Sequence, residues 1–152
     1  MNVKQPAKRV NIVSLKLIRE ASTLYGNRKI ISPKDAAELL GDFLSESDRE
    51  KFVVICLDTK NQPTAIHTVS IGSLNSALVH PREVFKVAIL SNSASIILSH
   101  NHPSNDPYPS KEDIDITTRL CEAGKILGIE VVDHIIVCST EKYLSFKEMC
   151  LI

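Results

Sequence analysis

The chain has 152 residues, of which 43% are apolar and 24% are charged, so it is long enough for one compact soluble domain with a buried core. Lysine plus arginine equals aspartate plus glutamate at 18 each, which excludes an overall basic field for a nucleic acid backbone and leaves room only for a local patch. No apolar run approaches the ~18 residues of a membrane span and the first residues have no signal-peptide core, so we expect a cytoplasmic protein with no membrane partner.

The first 31 residues are expected to form an N-terminal arm or an edge strand, ahead of a single domain over residues 32–152. Residues 1–9 are polar, whereas residues 10–18 alternate well enough between apolar and polar side chains to predict a strand. This strand could be the outer strand of the chain's own sheet, or it could pair with a partner or with a second copy in a homodimer. The pattern favours neither alternative.

A helix is predicted to begin at Pro33, with Ser32 as its N-cap. Its expected apolar face consists of Ala36, Leu39, Leu40 and Phe43. Residues 52–57 form a continuous apolar run that is typical of a central strand. After a turn of polar residues, residues 64–71 predict a second strand, which makes a hairpin with the first.

The second half of the chain predicts further helices and strands in alternation. Residues 72–77 are a loop without a chemical signal of its own, and Pro81 begins a helix whose inward side is formed by Val84, Val87 and Ala88. A strand over residues 93–98, a helix from Ser110 to about Leu127 and a strand over residues 129–138 follow. This order predicts an α/β fold, a mixed sheet with helices packed on it.

The strongest chemical signal lies between residues 99 and 113. His100 and His102 stand two apart at the end of a strand, so both imidazoles can point to the same side. Ser110 can cap the next helix, and Asp113 in its first turn can point back toward the imidazoles. Asp113 could instead only complement the helix dipole. Two imidazoles and a carboxylate are ligands that zinc accepts with a fourth position left for water, and the combined spacing favours this metal site.

This spacing, His-x-His, seven residues, then Ser-x-x-Asp, resembles the signature of the JAMM (MPN-plus, or JAB) metalloprotease domain. More narrowly, the loop is similar to that of the RadC family, which commonly runs His-Asn-His-Pro-Ser-Gly-Asp-Pro-x-Pro-Ser. Asn105 stands where that loop usually has glycine, and asparagine tolerates a left-handed backbone. The likeness extends through residues 79–84 and 132–137 and covers about residues 30–152. It implies a three-layer α/β fold similar to cytidine deaminases, in a bacterial protein of the cytoplasm.

The resemblance also implies a function, a zinc-dependent metallohydrolase that cleaves a peptide or isopeptide bond with a zinc-activated water. His100, His102 and Asp113 would hold Zn²⁺, and Glu50, at the junction of the first helix and the first core strand, would be the catalytic base. Ser110 would help to stabilise the oxyanion, unless its hydroxyl is engaged as the N-cap. The substrate would be a protein or peptide of unknown identity.

Several residues keep two interpretations. Glu46 and Asp48 lie near Glu50 in the sequence and are alternative bases. His134, with Asp133 beside it, could orient a metal-bound imidazole, although a histidine next to an apolar strand is more often structural and bonded to backbone. The four cysteines form no Cys-x-x-Cys pair, so we expect reduced, buried thiols rather than disulfides or ligands.

Three other functions are alternatives to hydrolysis. A zinc deaminase requires His-x-Glu and a downstream Pro-Cys-x-x-Cys, and the chain has neither. A DNA-repair-associated role is suggested by the RadC name, but longer RadC proteins carry a helix-hairpin-helix region for which residues 1–31 offer no room, and the neutral charge does not support it. A non-catalytic protein-interaction module is disfavoured by the complete set of ligand residues.

Overall fold

The computed structural model describes residues 3–44, 47–72 and 79–152, apart from the side chain of Asp42. Within these residues the helices and strands follow the order α1 (Pro33–Leu44), β1 (Lys51–Leu57), β2 (Pro63–Ile71), α2 (Pro81–Leu90), β3 (Ser95–Asn101), α3 (Lys111–Leu127), β4 (Glu130–Val137) and β5 (Tyr143–Ser145). The helices and strands predicted after residue 31 are confirmed to within a few residues. The short strand β5 was not predicted.

Polar side chains define where α1 and α3 begin. Ser32 Oγ accepts a hydrogen bond from Asp35 N (3.3 Å), while the Asp35 carboxylate accepts one from Ser32 N (2.9 Å). The same reciprocal capping box joins Ser110 to Asp113 at the start of α3. At the other end of α3, Gly128 adopts the left-handed conformation, with φ of 71°, that commonly ends a helix.

The strands form one mixed sheet in the order β2-β1-β3-β4-β5. Strands β3 and β4 are parallel and are connected through α3, whereas the other neighbouring pairs are antiparallel. Successive side chains of a strand point to opposite faces. In β1, Phe52, Val54 and Cys56 therefore pack with α2 and α3, while Val53, Ile55 and Leu57 pack with α1.

The sheet is thus covered on both faces, which explains why β1 reads as a continuous apolar run. The predicted three-layer α/β architecture is confirmed. Helix α3 packs closely on its neighbours at Gly124, since a Cβ there would lie 2.5 Å from the Ile129 carbonyl oxygen. Among the described residues, no helix combines the length and the apolar character needed to cross a bilayer.

Two predictions about apolar residues are wrong. Residues 10–18 form no strand, and their aliphatic side chains are exposed, Ile12 completely so. Alternation alone gives a strand no free energy without a neighbouring strand to pair with, so the arm is not an outer strand of this sheet. Phe43 is 45% exposed and lies beside the Lys51 ammonium, while Ala37 and Leu44 turn inward in its place.

The cysteines and the loop before α2 complete the comparison. All four cysteines are free thiols as predicted, but Cys150 is exposed rather than buried. Most of the loop predicted over residues 72–77 lies outside the described residues, as does Glu46.

Candidate metal centre

Two imidazoles meet at the carboxyl end of β3. His100 is fully buried and stands opposite Phe52 of β1 and Ile136 of β4, so strand pairing on both sides fixes its backbone. His102 follows directly after the strand, and its N–H donates to the Val137 carbonyl (3.2 Å). The two Nε2 atoms lie 2.9 Å apart. The predicted convergence of this His-x-His pair is present.

Asp113 reaches the same point from the first turn of α3. Its Oδ1 lies 3.5 Å from His100 Nε2, and its Oδ2 lies 3.5 Å from His102 Nε2. The carboxylate is held by Ser110, whose N–H donates to Oδ2 (2.7 Å). The capping box therefore aims Asp113 at the imidazoles, so that its use as a helix cap does not compete with its use as a ligand.

The donor atoms fit a small divalent cation. One donor atom from each of His100, His102 and Asp113 lies within 4.8 Å of the other two. His102 Nδ1 lies 2.6 Å from the Asp106 carbonyl oxygen, which can only accept, so Nδ1 carries a proton. In the neutral ring the Nε2 lone pair then faces the cluster, and in the protonated ring the Nε2–H group faces Asp113. Ligand atoms on a tetrahedral zinc lie about 3.3 Å from one another. The two Nε2 atoms are 2.9 Å apart, and each lies 3.5 Å from a different oxygen of Asp113.

The electrostatics of the cluster also favour a cation. Burial opposes ionisation of Asp113, but hydrogen bonds to His100 and His102 hold the pKa of this carboxyl well below its ordinary value. The hydrogen bond to Asp113 raises the pKa of His102, against the effect of burial, and the charge of Glu50 adds to the rise. The carboxylate thus attracts either a proton or a metal ion to the imidazoles.

The cluster forms part of the wall of a cleft of about 540 Å³. The described lining residues are Glu50, His102, Ser104, Asp106, Tyr108, Pro109, Ser110, Glu112 and Asp113. Four of them carry carboxylates and none is a lysine or arginine, so the cleft is acidic. Glu50 lies in this lining whereas Asp48 does not, which separates the two neighbouring candidates for a base.

Asn101, the middle residue of His-x-His, holds the backbone on both sides of Glu50. Its Oδ1 accepts from Lys51 N (2.7 Å), and its Nδ2 donates to the Arg49 carbonyl (2.9 Å). The Glu50 carbonyl in turn accepts from Gly72 N (2.8 Å). Asn101 is buried at the opposite side of β3 from the two imidazoles. The strand that carries the histidines thereby also places the glutamate.

Ser110 is free to serve the cleft while it caps α3. Its Oγ accepts from Asp113 N (3.1 Å), which uses a lone pair and leaves the hydroxyl proton available. The expectation that capping and oxyanion stabilisation exclude each other is therefore wrong, because the cap does not use the hydrogen that an oxyanion would need.

The family model described as "RadC-like JAB domain" matches residues 30–151. This chain belongs to the RadC-like JAB domain family. The match begins after the exposed arm and includes all of the candidate site residues, so the site is part of the RadC-like domain itself.

Curated relatives match from about four fifths to nearly all of this chain. A UPF0758 protein of Methanosarcina barkeri is 54% identical over 121 residues, which cover 80% of this chain and 52% of the relative. One of Desulfitobacterium hafniense is 56% identical over 119 residues, covering 78% and 52%. One of Desulforamulus reducens is 49% identical over 150 residues, covering 97% and 66%. The chain spans about half the length of the first two.

A second layer of polar residues lies behind the histidines of the RadC-like domain. His134 Nε2 lies 2.7 Å from His100 Nδ1, and His134 Nδ1 lies 2.6 Å from Thr117 Oγ1. The imidazole stacks on Phe146 and meets the edge of Phe52. Burial and then the proximity of His100 lower the pKa of His134 well below its ordinary value, so it is neutral. The backbone-bonded role that the sequence favoured for its side chain is wrong.

Asp133 acts away from the cluster. Its carboxylate accepts from Ser145 Oγ (2.6 Å) and Lys147 N (3.0 Å), and also from the backbone N–H of His134 (2.7 Å). These bonds fasten β5 and the residues after it to β4. Asp133 therefore fixes the backbone that carries His134 and reaches the metal cluster only through it.

Sequence reasoning missed Thr117 and Asn101. Thr117 stands four residues after Asp113, so both lie on one face of α3, a spacing that could have indicated contact. Asn101 points away from the two histidines by strand alternation, which gave no signal for a link to Glu50. His67 is exposed on β2, and His80 caps α2.

Proposed function

We propose that this chain is a zinc-dependent hydrolase of JAMM type that cleaves a peptide or isopeptide bond. The observation that carries the proposal is the convergence of buried His100 with His102 and Asp113, the last two of which line a cleft together with Glu50 and Ser110. Two imidazoles, one carboxylate and an adjoining carboxylate that can act as a base are the groups that metallohydrolases use.

Each residue has a role that follows from its contacts. His100, His102 and Asp113 would hold the ion, and the capping box keeps the Asp113 carboxylate turned toward both imidazoles. Glu50 would accept a proton from the attacking water and pass it to the leaving amine. The free hydroxyl proton of Ser110 would be donated to the carbonyl oxygen as negative charge develops there. When bound, zinc supplies a Lewis acid that lowers the pKa of water and polarises a carbonyl.

The acidity of the cleft is consistent with these roles. Besides Asp113, the lining includes Glu50, Asp106 and Glu112, so a divalent cation is needed before an electron-rich carbonyl is attracted there. The substrate in this proposal is a protein or peptide.

Zinc content and hydrolysis test the proposal together. The wild-type chain is loaded with zinc, dialysed and assayed against a mixed library of internally quenched peptides and a lysine-linked isopeptide. We expect about one zinc per chain, which is lost in His100→Ala/His102→Ala but kept in His67→Ala, a control on exposed β2. Glu50→Gln should keep the zinc and lose hydrolysis, whereas Glu112→Gln in the same cleft should keep both.

Three outcomes would count against the proposal. Equal zinc in the wild type and in the double histidine variant would remove the metal site. Stoichiometric zinc with no hydrolysis of either substrate type would favour the non-catalytic interaction module, and binding of duplex DNA with a steep salt dependence would favour the DNA-associated role.

A further inference from the structure

We infer that Thr117 and His134 form a chain of ordered protons that fixes the tautomer of His100, so that His100 presents a bare Nε2 toward the cluster. Both are positioning residues for the ion of the proposed function, and the inference rests on that function. Their effect passes through His100.

The chain of protons begins at a carbonyl. Thr117 Oγ1 lies 2.6 Å from the backbone carbonyl oxygen of Asp113, and that oxygen can only accept. The threonine hydroxyl has one proton, which is therefore directed to Asp113 O. Because Thr117 Oγ1 also lies 2.6 Å from His134 Nδ1, the remaining contact requires the proton of that nitrogen.

The burial of the His134 ring favours its neutral form. His134 has no exposed surface and stacks against Phe146 at a centroid distance of 4.5 Å, an environment that disfavours an imidazolium. A neutral imidazole with its proton on Nδ1 has an acceptor at Nε2. His134 Nε2 lies 2.7 Å from His100 Nδ1, so His100 Nδ1 must be the donor.

The result at His100 is the form that a metal ligand needs. With its proton on Nδ1, the ring directs the Nε2 lone pair toward His102 and Asp113. His102 reaches the same form by a shorter route, the Asp106 carbonyl. The half-buried ligand, His102, is thus ordered by a loop carbonyl, and the fully buried ligand, His100, by two side chains from α3 and β4. If every donor and acceptor in this series of hydrogen bonds were exchanged, the proton of His100 would lie on Nε2 and prevent that atom from binding a metal ion.

The tautomers can be observed directly in the metal-free protein with ¹⁵N-labelled histidine and long-range ¹H–¹⁵N spectra. We expect His134 to carry its proton on Nδ1. His80 provides the internal contrast, because its Nδ1 accepts from Arg82 N (3.2 Å) and its neutral form must therefore carry the proton on Nε2. A proton on Nε2 of His134 would overturn the inference, whether or not the protein binds zinc.

Substitutions test the consequence for the ion. In Thr117→Val the acceptor for His134 Nδ1 is replaced by a methyl group, and we expect zinc affinity, measured by competition with a chelator, to fall roughly ten- to one-hundredfold. Thr117→Ser keeps the hydroxyl and should retain affinity close to that of the wild type. Thr118→Val is the matched control, because Thr118 Oγ1 makes the same type of bond to the Ile114 carbonyl (3.0 Å) at an exposed position.

The two levels of the hypothesis fail in different ways. Unchanged zinc affinity in folded Thr117→Val would overturn the relay and leave the proposed function standing. A wild-type chain that binds no zinc would overturn the proposed function, and the tautomer of His134 would then decide the proton order alone. If Thr117→Val does not fold, as judged by its thermal melt, the tautomer spectrum of the wild type decides.

Discussion

At the scale of single residues, the negative charge of Asp113 in the cluster can be neutralised by a proton on an imidazole or by a metal ion. Asp113 is ionised beside two imidazoles whose Nε2 atoms lie 2.9 Å apart. Two lone pairs at this distance repel unless a positive charge lies between or beside them. A proton and a metal ion therefore compete for one position, and pH decides the competition.

The first prediction concerns that competition. The hydrogen bond to Asp113 raises the pKa of His102 above 6.5, and zinc binds only the neutral ring. Zinc affinity should therefore fall by up to about tenfold per pH unit as the pH drops below the raised pKa, and His102 should cause no change well above it. Chelator competition from about pH 5.5 to 8.5 measures this, with chelator protonation subtracted. An affinity that does not change across the range would contradict the assignment of His102 as a ligand.

The loop that carries His102 shows how one backbone angle is accommodated. Asn105 has φ of 63°, in the left-handed region, which agrees with the glycine usual at this position in the RadC loop. Its N–H donates to the His102 carbonyl (3.0 Å), and its own carbonyl accepts from Lys142 Nζ (2.6 Å). The departure from glycine therefore does not disturb the turn, as expected from the sequence.

At the scale of elements, β3 supplies two functions on its two faces. His100 faces the cluster, and Asn101 on the other face bonds to the backbone of Arg49 and Lys51. The distance between His100 and Glu50 is therefore set by the pairing of β3 with β1, in which His100 lies opposite Phe52. A strand is stiff enough to hold such an arrangement without a loop rearrangement.

The second prediction tests this link. Asn101→Leu should leave zinc affinity within about threefold of the wild type but reduce kcat at least tenfold, because Glu50 loses the bonds on both sides of it. Ser99→Ala is the control, since it removes another buried hydrogen bond of β3, to the Ile135 carbonyl (2.8 Å), without contacting residues 49–51. A loss of zinc equal to the loss of kcat would show that Asn101 supports the strand rather than the base.

Elements differ in how far the sequence could predict them. Helix α3 carries both a capping serine and a terminal glycine, and β1 is an apolar run long enough to identify, so both were predictable. Strand β5 has three residues, too few for any period, and it is held by pairing with β4 and by the bond from its own Ser145 to Asp133 of β4. Phe43 was misassigned because helical spacing allows two overlapping faces, and only the packing against the sheet selects one.

The candidate site was more predictable than its support. His100, His102 and Asp113 follow from a local motif, since strand alternation and a helix cap act within a few residues. Contacts between distant residues depend on how α3 packs on the sheet, as for Thr117 with His134, or on how β1 pairs with β3, as for Asn101 with Lys51. No pattern along the chain encodes them, and a single sequence offers no covariation from which to infer them.

At the scale of the whole molecule, the arm before Tyr25 stands apart from the domain. Its aliphatic side chains are exposed, including Ile12, Leu15 and Ile18 at 102%, 77% and 78%. Tyr25 and Ile30, by contrast, pack with the apolar core residues between α1 and the sheet. Exposed aliphatic side chains in alternation gain free energy only when another chain covers them, and a partner protein or a second copy are the two alternatives that the sequence left open.

The third prediction separates the arm from the domain. Removal of residues 1–24 should leave the Tm within about 2 °C of the full chain, because the described part of this segment, residues 3–24, buries almost no apolar surface against the rest. If the arm pairs with a second copy, the full chain should sediment as a dimer and the truncated chain as a monomer at the same concentration. Ile12→Ser/Leu15→Ser/Ile18→Ser keeps the length of the arm and should also give a monomer. A full chain that sediments as a monomer would contradict the homodimer, and a markedly lower Tm after truncation would show that the arm packs on its own domain.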